Sequence, residues 1–151
     1  MKIFNTFEEL AAVVGQEVAV TDWVTITQAQ VDGFAAATGD TQWIHVDVER
    51  ARAGPFGGTI AHGFLTLALI PRFFETSIGI TPALMAVNCG LNRVRFTAPV
   101  LVGSRLRARI RLQHLATLAP QGVQVTWEVV MECEGVIKPV CVAESLARLY
   151  P

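Results

Sequence analysis

The second half of the chain alternates. In residues 104–112, SRLRARIRL, the apolar Leu106, Ala108, Ile110 and Leu112 fall on one side and Arg105, Arg107, Arg109 and Arg111 on the other. In GVQVTWEVVME, residues 122–132, Val123, Val125, Trp127, Val129 and Met131 take the apolar side. A period of two with one polar face predicts half-buried antiparallel strands. MAVNCGLNRVRF and PVCVAESLARLY predict two more with a less regular pattern.

The first half runs on a helical period. The opening MKIFNTFEELAAVVG predicts a short amphipathic helix, and its acids argue against a secretory leader. Thr27 and Gln30 have capping-box spacing, with Val31, Phe34, Ala35 and Thr38 on one helical face and Gly39 where a helix-ending glycine belongs. Asp47 caps a second short helix, VERARA, which Gly54-Pro55 stops. Residues 61–74 are apolar nearly all round, which predicts a helix buried on every side. At about 1.5 Å per residue it spans roughly 20 Å, with Pro71 kinking it or marking its last turn. Helices followed by a run of strands predict an α+β class: a curved antiparallel sheet wrapped around one long central apolar helix, the hot-dog arrangement.

Length and charge narrow the setting. The 151 residues are 52% hydrophobic and 17% charged, with no repeat or linker, so one domain over 1–151 is expected and disorder is excluded. A net charge of −1 gives no electrostatic case for nucleic acid or an anionic membrane. The apolar run 59–74 holds His62 and Arg72 and falls short of the roughly 20 residues a membrane span needs. Cys89, Cys133 and Cys141, an odd count without a CxxC, fit a reducing cytoplasm. A soluble cytoplasmic protein is the expectation.

The candidate chemistry sits in AATGDTQWIHV, residues 36–46, where Asp40 and His45 flank an apolar Trp43-Ile44. Burying either charge alone costs several kcal/mol or more, whereas an Asp–His pair in an apolar pocket resolves the conflict and is how acid–base catalysts are built. Two readings stay open from spacing alone: a turn cap with a satisfied core histidine, or a pair meeting around a water. Two ligands fall short of a zinc site, and no GxSxG elbow supports a Ser-His-Asp triad. Ala61-His62-Gly63 opens the apolar helix, where first-turn N–H groups lack partners and Gly63 lets a ligand oxygen approach. A glycine kept for tight packing explains the same residue. His114, at a strand end beside a turn, is expected at the surface.

ATGD-TQWIH-VD, then TIAHGFLTLAL, then NRVRFTAPVLVGSRLRA resemble, in order and over residues 20–148, the MaoC-like (R)-specific enoyl-CoA hydratases (hydratase 2). That resemblance implies hydration of a trans-2-enoyl-CoA to the (R)-3-hydroxyacyl-CoA. Asp40 and His45 would activate water, the Gly63 N–H would polarise the thioester carbonyl, and no metal or cofactor would be needed. It also implies Gln42, Trp43 and His62 beside the substrate, and Arg93 and Arg95 as candidate CoA contacts. Gln42-Trp43 replaces the family's usual Asn-Pro, which puts substrate size or loop geometry in question. Family members of this size form homodimers, so the same is expected here. For Arg105 to Arg111, cross-strand pairing with Glu128 and Glu132 is expected over a phosphate surface. A hot-dog thioesterase is the nearest rival, disfavoured because residues 54–74 contain no acid and Glu75 comes only after them. A non-catalytic acyl-thioester binding module is the other rival, with Trp43 in its favour.

Overall fold

The computed structural model describes residues 1–151. Its main sheet is antiparallel and six-stranded: β2 (Glu17–Val20), β6 (Arg105–Thr117), β7 (Val123–Cys133), β8 (Cys141–Tyr150) and β5 (Met85–Phe96) in that order, with β3 (Val24–Thr25) also on β6. The two strands that alternate most regularly lie side by side, with Leu106 opposite Cys133 and Ile110 opposite Val129. Along β7 every second residue is buried, and these side chains join a core cluster of 26 residues. At about 1.5–3 kcal/mol per fully buried aliphatic or aromatic side chain, this face dominates stability. Burial pushes the Cys141 thiol up to about 11.

The opposite face of β6 carries the arginines, and each finds an acid. Arg105 meets Glu134 at 3.0 Å, Arg107 meets Glu132 at 2.7 Å, Arg109 meets Glu17 at 2.8 Å and Arg111 meets Glu128 at 3.6 Å. The guanidinium of Arg107 also lies 4.6 Å from the Trp23 ring centroid. This face is a cross-strand ion-pair ladder, as the alternation predicts.

The caps fall where the sequence puts them. Thr27 and Gln30 close a capping box on α2 (Gln28–Thr38), and Gly39 ends it with φ 79°. Asp47 accepts from the Arg50 N–H at 3.0 Å to start α4 (Val48–Arg52). The N-terminus differs from expectation. Its first residues form β1 (Lys2–Phe4), parallel to β4 (Ile78–Ile80), and the helix shrinks to α1 (Phe7–Ala11), capped by Thr6.

The long central helix is also corrected. The apolar run is two helices, α5 (Gly63–Ala68) and α6 (Ile70–Ser77), parted at Leu69. Leu69 donates its N–H to Thr66 rather than one residue further back, which tightens the turn. Pro71 has no N–H to continue the ladder, but it is tolerated in the first turn of a new helix, so the break falls before it. Nor is the run buried all round. Phe64, Ala68, Pro71, Arg72 and Glu75 form an outward stripe, with Phe64 70% exposed, while Leu65, Leu69, Ile70 and Phe73 face the sheet. The layout is the α+β hot-dog arrangement, with a bipartite helical layer in place of one continuous helix. No helix is long and apolar enough to cross a membrane.

One strand departs from the half-buried pattern. None of the 12 residues of β5 is buried, although the strand pairs along its length with β8. Its other edge is open, and Met85, Val87, Leu91 and Phe96 are exposed along it.

Candidate active site

Gly39 turns the chain off the end of α2, and Asp40 follows with its side chain 55% exposed. The chain re-enters as a single turn, α3 (Trp43–Val46), which buries His45. The segment 59–61 returns beside it. The Ile60 N–H donates to the Ile44 carbonyl at 3.0 Å, and His45 Nδ1 lies 2.7 Å from the Ile60 carbonyl. A carbonyl only accepts, so Nδ1 carries the proton and Nε2 of the neutral ring keeps a free lone pair. Ala61 is fixed in turn by its N–H to Val100 at 2.8 Å, and α5 starts two residues later.

Asp40 and His45 are thereby joined by His62, which is only 2% exposed. One donor-type atom from each of the three residues lies within 4.8 Å of the others. The imidazoles of His45 and His62 stack with centroids 3.8 Å apart and an interplanar angle of 23°. His62 Nε2 is 2.9 Å from the Asp40 backbone carbonyl and 4.0 Å from its carboxylate. Three such side chains raise the question of a metal. His45 Nδ1 and His62 Nε2 are committed to carbonyls, and His62 Nδ1 is sealed from solvent. The Asp40 carboxylate and His45 Nε2 remain, fewer than the three protein ligands of a catalytic zinc. The donor set suits proton transfer instead.

A cavity of about 370 Å³ opens at His45, lined also by Gly63, Thr66, Phe96 and Val140. Gly63 is the first residue of α5, so its N–H has no intrahelical acceptor. A Cβ at this position would stand 2.9 Å from the Phe96 ring, so the missing side chain lets Phe96 lie directly on the backbone. The packing reason for the glycine and the ligand-approach reason rest on the same absent atom. Thr66 is buried on the cavity wall one turn after Gly63 and was not singled out from the sequence. The available signal was a hydroxyl inside an otherwise apolar run. Gln28 was missed as well. It donates to the His45 carbonyl at 2.8 Å and accepts from the Thr59 hydroxyl at 2.6 Å, tying both sides of the site together.

The remaining expected contacts are not brought to this cavity. Gln42 is exposed ahead of α3. Trp43 turns away from this cavity, packing on Gly54 and under the Arg50 guanidinium at 4.3 Å, so it braces α4. His62 is too deeply buried to meet substrate directly. Arg93 and Arg95 are exposed on the face of β5 opposite Phe96, because successive strand residues alternate. Neither has an acidic partner in ion-pair range, and neither lines the cavity. His114 is exposed on β6, as expected.

Residues 9–132 match the family described as MaoC like domain. The chain belongs to that family. Among its MaoC-like relatives is 3-hydroxyacyl-thioester dehydratase Z of Mycobacterium tuberculosis, 54% identical over 148 residues that cover 98% of each chain. The 3-hydroxybutyryl-CoA dehydratase of Methylorubrum extorquens is 34% identical over 119 residues, covering 75% of this chain and 73% of its own. Among solved MaoC-like structures, the unliganded R-hydratase of Pseudomonas aeruginosa aligns with a TM-score of 0.69 at 27% identity, covering 91% of this chain and 81% of that one.

Proposed function

We propose that the protein is an (R)-specific enoyl-CoA hydratase, adding water reversibly to a trans-2-enoyl-CoA and, in reverse, dehydrating the (R)-3-hydroxyacyl-CoA. The observation that carries this reading is the position of His45. Its ring is held by the Ile60 carbonyl so that the other nitrogen is a free base, beside the Asp40 carboxylate and on the wall of the Gly63 cavity. The names of two relatives, a 3-hydroxyacyl-thioester dehydratase and a 3-hydroxybutyryl-CoA dehydratase, support the substrate class, and that of the R-hydratase neighbour supports the reaction.

The chemistry follows from that placement. The conjugated thioester is electrophilic at Cβ because its carbonyl oxygen can take charge as an enolate. The Gly63 N–H, free at the start of α5, would donate to that oxygen, and such a donor is worth about 10²–10³ in rate where measured in other enzymes. The pair formed by Asp40 and His45 takes one proton from water as its oxygen bonds to Cβ. A proton returns to Cα, so the pair ends as it began. Cβ, Cα and the carbonyl lie along one short acyl segment, and His45 and Gly63 line the same cavity of about 370 Å³, which supports placing that segment between them.

CoA phosphates call for cations outside the cavity, and Arg93 and Arg95 are the unpaired guanidinium groups of β5. The open edge of β5, with its exposed apolar side chains, supports a homodimer in which two such edges meet. Three free cysteines suit a reducing cytoplasm. A thioesterase reading is disfavoured because the helical wall facing the cavity carries no carboxylate.

The test is crotonyl-CoA hydration by wild type and Asp40→Asn, followed by loss of the conjugated-thioester absorbance with chiral analysis of the product. Turnover to the (R) product that falls at least about a hundredfold in the variant supports the reading. Release of free CoA without hydration points to the thioesterase, and binding without turnover to an acyl-thioester module.

A further inference from the structure

Behind His45 lies an imidazole that the proposed chemistry does not use. His62 lines neither of the two main cavities, and it is enclosed by His45 on one side and by Phe34, 5.0 Å away between centroids, on another. Its Nε2 faces the Asp40 carbonyl, so that nitrogen carries the proton. Its Nδ1 is buried without any partner. A proton on Nδ1 would be a donor with no acceptor, so the geometry selects the Nε2–H tautomer. The backbone of Asp40 is otherwise held only by a long contact from its own N–H to the Thr38 hydroxyl at 3.4 Å.

We propose that His62 is a positioning residue, the element that sets Asp40 and His45 relative to each other. Its Nε2–H anchors the Asp40 peptide where the chain leaves Gly39, and Nε2 also lies 4.0 Å from the carboxylate. Its ring face supports the His45 imidazole in the plane that the Ile60 carbonyl selects. The inference rests on the hydratase reading, and it assigns His62 no contact with substrate. It also gives a reason for the His-Gly pair at the head of α5: His62 orders the acid–base pair, and the next residue supplies the free N–H.

Three variants separate positioning from mere packing. His62→Phe keeps a flat ring for the stack but removes the N–H. His62→Gln places an amide nitrogen where Nε2 stood, whereas His62→Asn places one where Nδ1 stood. Crotonyl-CoA kinetics should show kcat at least about tenfold lower for His62→Phe and His62→Asn, with KM within about twofold. His62→Gln should recover to within about threefold of wild type. Thermal midpoints of all three, measured alongside, should not follow that order, since a packing role predicts that activity tracks stability. Full activity in His62→Phe, or Gln and Asn variants that behave alike, overturns the inference while leaving the hydratase reading intact. Absence of hydration by wild type overturns that reading instead. Long-range ¹⁵N–¹H spectra of the imidazoles then still decide the matter, because the inference requires the proton of His62 on Nε2 and a proton found on Nδ1 removes its basis.

Discussion

Two polar clusters sit on opposite sides of the core, and they are built by opposite rules. On the outer face of β6 and β7, every arginine from Arg105 to Arg111 has a carboxylate across the strand or on β2, half exposed to water. Around α3 and α5 the two imidazoles lie deeper than the ladder, Asp40 stays at the surface, and all three are less satisfied. His45 and His62 are buried, each with one nitrogen committed to a carbonyl and one without a partner, and the Asp40 carboxylate accepts no hydrogen bond. Surface ion pairs are worth about 0–1 kcal/mol each, so the ladder secures register and solubility more than stability. Leaving a buried polar atom unmatched costs about 1–3 kcal/mol, and the fold bears that cost at His62 Nδ1, directly behind the cavity that His45 lines. Unmet hydrogen-bonding capacity, not charge, separates the working site from the scaffold.

The sharpest break of that contrast is removal of the acid–base pair. Asp40→Asn with His45→Ala should lose at least about a hundredfold in kcat, hardly more than the worse single variant, because members of one unit are not additive. Additive losses in the crotonyl-CoA assay would mean that the two residues act separately. Next in size is Gly63→Ala, whose Cβ meets the Phe96 ring at 2.9 Å. It should reduce kcat/KM about tenfold or more, and adding Phe96→Leu should restore part of it; no restoration would locate the defect elsewhere. Smaller is the double change Arg93→Ala and Arg95→Ala, expected to raise KM for enoyl-CoA several-fold at unchanged kcat, an effect that fades with a truncated thioester lacking the nucleotide. The smallest belongs to the ladder. Arg107→Gln should cost about 1 kcal/mol or less in chemical denaturation and leave turnover unchanged. A large loss of activity there would erase the distinction between the two clusters.

Much of this division was legible in the sequence. Strict alternation exposed β6 and β7 because one face of each is apolar and the other charged, and the Thr27–Gln30 box with Gly39 located the point from which Asp40 hangs. The break at Leu69 was not legible. Phe64, Ala68 and Pro71 are apolar although they face outward, which flattens the periodicity that would have marked the stripe. The position of His62 was hidden for a different reason. Its contact with Asp40 spans 22 residues and exists only because the Ile44–Ile60 hydrogen bond brings the chain back. Gln28 carried no signal either, since a polar residue in a first helical turn is ordinarily solvated. Trp43 misled because bulk beside a candidate pair suggests a pocket wall, whereas its ring is spent on Gly54 and Arg50.

Gln28 has a consequence for how such a protein can diversify. One side-chain amide grips the chain at His45 and again at Thr59, so the stretch between them begins and ends at fixed points. Its middle can change in length while both anchors stay put, and doubling a flexible loop costs only about 0.6 kcal/mol in closure entropy. A Gly-Ser pair inserted after Gly57 should therefore leave turnover within about twofold, whereas the same pair inserted after Thr41 should abolish it. The turn after α4, around Gly57 and Gly58, is a graft point, a place where new sequence can be added to the rim while the machinery beneath it keeps its register.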